Sequence, residues 1–107
     1  MNREVKRLIE IARDGGWKVY YAHETAEFSK YSDYGQDFSF CIGTNDLIGN
    51  LDEYINNFDP SEETYKWLDS SGHGTNGAPY DMLDVYKDME DCKEMMEALL
   101  YEWQNRK

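Results

Sequence analysis

The stretch "DFSFCIG", residues 37–43, constrains the fold more than any other part of the chain. Phe38, Phe40 and Ile42 alternate with Ser39 and Cys41, so an extended backbone puts the apolar side chains on one face and the small polar ones on the other. A strand with one apolar face needs sheet neighbours and a covering layer. Two weaker candidates precede it. In "WKVYYAH", Trp17, Val19 and Tyr21 share a side, and "AEFSKYS" follows after a turn at His23 to Thr25. "DYGQ", with Gly35 free to take positive φ, makes the second turn. The pattern predicts a three-stranded antiparallel meander with one apolar face.

Helical periodicity brackets the meander. Val5, Leu8, Ile9 and Ala12 fall at i, i+3, i+4 and i+7, which predicts a helix over roughly Arg3 to Arg13, ended by Gly15 and Gly16. After the strands, Thr44 or Asn45 can cap a helix whose stripe is Leu47, Ile48, Leu51, Tyr54, Ile55 and Phe58. Asp59 as N-cap, Pro60 at the first helical position and Glu62 begin a shorter helix carrying Tyr65, Trp67 and Leu68. Asp81 can cap the last helix, with Val85, Met89, Cys92, Met96, Leu99, Leu100 and Trp103 along one side. The class is therefore α+β: an N-terminal helix, a three-stranded antiparallel meander, then three helices. At 107 residues, residues 1–107 suit a single compact domain. No run approaches the roughly 20 apolar residues of a membrane span, and the charged start does not read as a signal peptide, so a cytoplasmic location is expected.

Charge narrows the partner class. Twenty-two acids face 11 Lys plus Arg, a net of -11. Residues 1–18 carry +2 and Arg106 with Lys107 another +2, so residues 19–105 carry -15. Such a field repels nucleic acid and membrane surfaces and attracts basic proteins, although solubility alone also explains an acidic chain. On the last helix Asp84, Asp88 and Asp91 are expected on one flank of the apolar stripe, and Glu90, Glu94 and Glu97 on the other. Carboxylates at that spacing can stand in for a row of phosphates; a solvated helix face is the plainer account. Tyr31 and Tyr34, beside the second turn, are candidate aromatic anchors.

"WLDSSGHGTNGAPYD", residues 67–81, is the most irregular stretch. An EF-hand count from Asp69 fails at Tyr80, where a bidentate carboxylate is required. A phosphate cradle fails for want of a lysine and a preceding strand. Asn76-Gly77 and Pro79 instead predict a rigid, turn-rich loop. His23, Cys41, His73 and Cys92 complete a two-cysteine, two-histidine zinc set by number, but none of them is paired at close ligand spacing. The plainer reading is buried thiols and surface histidines, with no cofactor. No oxyanion hole or orienting group accompanies a Cys–His pair, and enzymatic activity is not expected.

Phe58 and Asp59, Trp67 to Asp69, Gly72 to Gly74, Asn76 to Asp81, and Asp88, Met89 and Cys92 carry a resemblance. On these residues, and over roughly Trp17 to Leu100, the chain resembles a family of small acidic proteins of unknown function carried by mobile elements of Gram-positive bacteria. Small acidic proteins in that setting are often inhibitors of host defence, anti-CRISPR proteins among them. The resemblance thus implies an acidic protein-binding inhibitor that occupies a basic nucleic-acid-binding surface, such as that of a type II CRISPR effector nuclease, with no catalytic residue carried over. The alternative is a zinc-binding or redox-sensitive regulatory domain built on the cysteines and histidines.

Overall fold

A computed structural model describes residues 3–32, 37–70 and 82–105, without the side chains of 68–70. Its elements run α1 (Arg3–Asp14), β1 (Lys18–Ala22), β2 (Thr25–Tyr31), β3 (Asp37–Gly43), α2 (Leu47–Asn57), α3 (Pro60–Ser70) and α4 (Met82–Asn105). The class is α+β, in the order the sequence predicts. The "DYGQ" turn, the loop at 71–80 and the cap expected at Asp81 lie outside the described residues.

Glycine at position 16 ends α1. Gly16 takes φ 93°, its N–H donates to the Arg13 carbonyl at 3.1 Å, and the Trp17 N–H donates to the Ala12 carbonyl at 3.0 Å. This pair of bonds is a Schellman closure, which needs a residue that tolerates the left-handed region. It turns the chain directly into β1 with Trp17 buried.

The sheet order is β1-β2-β3, antiparallel throughout. Ala22 pairs with Thr25, so only His23 and Glu24 form the first turn, with His23 at φ 57°. Phe28 stands opposite both Val19 and Phe40, and Ala26 opposite Ile42. The inward face therefore carries Ala26, Phe28, Phe40 and Ile42, all buried, with Phe38, Val19 and Tyr21 half-buried. Tyr20, Glu27, Ser39 and Cys41 lie on the outward face, exposed. Cys41 is thus an exposed thiol, not one of the two buried thiols expected.

Helices supply the covering layer. Leu8 and Ala12 of α1, Leu47, Leu51 and Ile55 of α2, and Cys92, Met96 and Leu99 of α4 join the sheet in one core. Its centre is aromatic: Phe28 and Phe40 stack at 5.1 Å, Trp17 meets Phe40 edge-on at 5.5 Å, and Tyr54 stacks on Phe40 at 5.2 Å. Phe28 is the sheet's most deeply enclosed aromatic, because β2 is the central strand.

One capping expectation holds and one is corrected. Asp59 Oδ1 accepts the Ser61 N–H at 3.0 Å, and Pro60 opens α3. At α2 neither Thr44 nor Asn45 is the cap. Asp46 holds that position with φ 61° and no side-chain cap bond. The entry is tied from inside the helix, where the Asn50 amide donates to the carbonyls of Gly43 at 3.0 Å and Asn45 at 2.8 Å.

Candidate protein-binding surface

The 24 residues of α4 place the acidic candidates in three different environments. Val85, Cys92, Met96 and Leu99 face inward, as expected from the stripe. Glu90, Glu94 and Glu97 are exposed. They advance along the helix by about 6 and 4.5 Å at 1.5 Å per residue, a spacing comparable to successive phosphates.

The aspartate flank departs from expectation. Asp84 is exposed and Asp91 half-buried, but Asp88 is 6% exposed and accepts a hydrogen bond from Ser32 Oγ on Oδ1. Burial pushes the Asp88 carboxyl above its usual range; the Ser32 bond pulls the other way, and the Asp91 charge adds to the rise. Asp88 is therefore a structural carboxylate, not an open contact for a partner. Its position between Val85 and Cys92 makes it part of the buried stripe.

The same bond has a second effect. Ser32 follows directly on β2, so the bond ties the end of that strand to α4, while Tyr31, on the outward face with Glu27, is 64% exposed. Tyr34 lies outside the described residues. Nearby, a depression of about 210 Å³ is lined by Asp37, Phe38, Ser39, Trp67, Asp88, Met89 and Cys92.

The three described members of the candidate zinc set lie apart. His23 is exposed in the first turn, Cys41 is exposed on the outward sheet face, and Cys92 is in the core; His73 lies outside the described residues. Cys41 and Cys92 are on opposite sides of β3. Among the described residues no group of three or more His, Cys, Asp or Glu could hold a metal ion. Burial first, then the charges of Asp88 and Asp91, push the Cys92 thiol up to about 12, so it keeps its proton at neutral pH. A protonated thiol is a poor nucleophile.

Few bases offset the acids. Lys66 bridges Glu62 at 3.6 Å and Glu63 at 3.8 Å on the exposed side of α3. The Lys93 ammonium donates to the Phe58 carbonyl at 2.9 Å, closing the end of α2 against α4. The basic residues of α1 form a separate patch. Arg7 lies 4.4 Å over the Trp103 ring and donates to the Trp103 carbonyl at 3.4 Å. A guanidinium is favourable in the last turn of α4, where helix carbonyls lack internal partners.

Among the described residues no helix is long and apolar enough to cross a membrane. No family model matches the chain, and neither a curated protein nor a solved structure matches it.

Proposed function

We propose that the protein is an acidic protein-binding inhibitor of a host-defence nuclease. It acts from the cytoplasm by occupying a basic nucleic-acid-binding surface, in the manner of an anti-CRISPR protein against a type II RNA-guided effector. The observation that carries this reading is the exposed row Glu90, Glu94 and Glu97 on α4. A lysine- and arginine-lined channel built for phosphates attracts such a row, while nucleic acid and anionic membranes are repelled.

The test is association kinetics with a guide-free type II effector across roughly 50–300 mM salt, a range over which the Debye length falls about 2.4-fold. Fast association that slows steeply with salt is expected. Charge reversal of Glu90, Glu94 and Glu97 to lysine should cut the on-rate by about tenfold or more while changing the off-rate much less. A salt-independent on-rate, or tight binding to duplex DNA alone, defeats the proposal.

A further inference from the structure

A second surface borders α4 near its start. Ser61, Thr64 and Tyr65 of α3 and Met82, Leu83 and Tyr86 of α4 line an open cleft of about 380 Å³. Its mouth is apolar: Tyr65 and Leu83 are each 58% exposed and Met82 is 51% exposed. The other large apolar side chains this exposed among the described residues are Tyr20, Tyr31 and Tyr101, each with a polar tip. Met82 and Leu83 have none, and two such neighbours at a concavity mark a contact site more often than chance exposure. Thr64 is buried there, and its hydroxyl donates to the Pro60 carbonyl of its own helix at 2.6 Å. The floor therefore asks no polar partner of an occupant.

Charge decides what fits. Together α3 and α4 hold ten acids against three lysines, a net of -7 out of the chain's -11. Two of those lysines are engaged, Lys66 by Glu62 and Glu63 and Lys93 by the Phe58 carbonyl. A second copy of this chain would bring two acidic helix pairs together, and an anionic lipid surface would be repelled. An apolar side chain carried on a basic segment meets both requirements. We propose that the α3–α4 cleft is an anchor pocket that receives an apolar side chain from a basic, amphipathic protein segment. This rests on the reading of the chain as an acidic protein-binding inhibitor, and it adds the contact that slows dissociation.

The probe is a lysine–leucine amphipathic helical peptide, about 14 residues long, compared with its glutamate–leucine and lysine–serine counterparts. Binding is followed on the full chain by the methyl resonances of Met82 and Leu83. The lysine–leucine peptide should shift these methyls, and both counterparts should bind about tenfold or more weakly. Tyr65→Ala with Leu83→Ala, at exposed positions where folding is little affected, should weaken the lysine–leucine peptide to a similar degree. Unmoved methyls, an unchanged affinity of the double variant, or equal binding of the glutamate peptide overturns the inference. So do contacts from residues 71–81 to these methyls that persist with peptide added, or self-association abolished by the double variant. The two proposals fail separately. An effector that binds the double variant with an unaltered off-rate sinks the pocket alone. An effector that does not bind, beside a peptide that does, sinks the inhibitor reading alone.

Discussion

Ser32 and Asp88 are 56 positions apart in the chain, and the serine hydroxyl donates to a carboxylate enclosed between the end of β2 and α4. Burial raises the Asp88 pKa, so the folded state binds its proton more tightly than the unfolded chain does. The stabilising contribution is then complete below the unfolded value near 3.8 and is lost as pH rises through the folded value. At neutral pH the ionised form is a cost. Asp88→Asn keeps an acceptor for Ser32 and removes the charge beside Asp91. It should raise the melting temperature at pH 7, with the gain shrinking toward pH 4. Asp88→Ala deletes the acceptor and should cost about 1–3 kcal/mol. An Asn variant less stable than wild type at pH 7 would show that the charge itself is needed.

Phe28 is the most completely buried ring of the aromatic core. It is fully buried, faces Phe40 at 5.1 Å and meets Trp17 edge-on at 6.4 Å. Phe28→Ala should cost about 3–5 kcal/mol in denaturant unfolding. Phe40→Ala should fall in the same range or slightly below it. A Phe28 variant that unfolds at the wild-type midpoint would mean that β2 is not the central strand.

Thiol chemistry should divide the two cysteines cleanly. Cys41 is exposed, whereas Cys92 is buried with its thiol pushed up to about 12. An aromatic disulfide reagent at pH 8 should titrate one thiol per folded chain and two in denaturant. Rapid labelling of both in the folded protein would favour the redox reading, and a zinc-dependent loss of Cys41 labelling would favour the metal one.

Arg7 and Trp103 join the two ends of the fold through a cation–π contact and a carbonyl bond. Arg7→Ala should cost about 1 kcal/mol, and the Trp103 emission should move to longer wavelength. Arg7→Lys should recover only part of the loss, because an ammonium cannot stack its plane on the indole. Equal stability of all three proteins would reduce the contact to a surface coincidence.

Local patterns made the elements legible. The alternation at Phe38, Phe40 and Ile42 gave the facing of β3, and Asp59-Pro60 marked the start of α3. What escaped depends on distant partners. Asp88 looks like one more acid on a charged helix until Ser32 is brought to it. Asp46 lies between the two expected caps and α2, and the closure comes from Asn50, one turn inside. The α3–α4 cleft was invisible as well, since Tyr65 and Leu83 belong to two separate helices. Cys41 could have been read correctly, because the strand alternation already set it opposite Phe40.

The pairing of Arg7 with Trp103 also orders events during synthesis. The helix that packs on the end of α4 is made first, and its partner turn emerges 96 residues later. At ribosomal speeds that interval is about 5–20 s. The two β-hairpins, whose contacts are close in sequence, can form within it on a scale of microseconds. Leu8 and Ala12 of α1 must meanwhile rest on β1 or on a chaperone. The nascent chain is therefore most vulnerable to aggregation just before α4 is complete, when an apolar sheet face is built and its last cover is still on the ribosome.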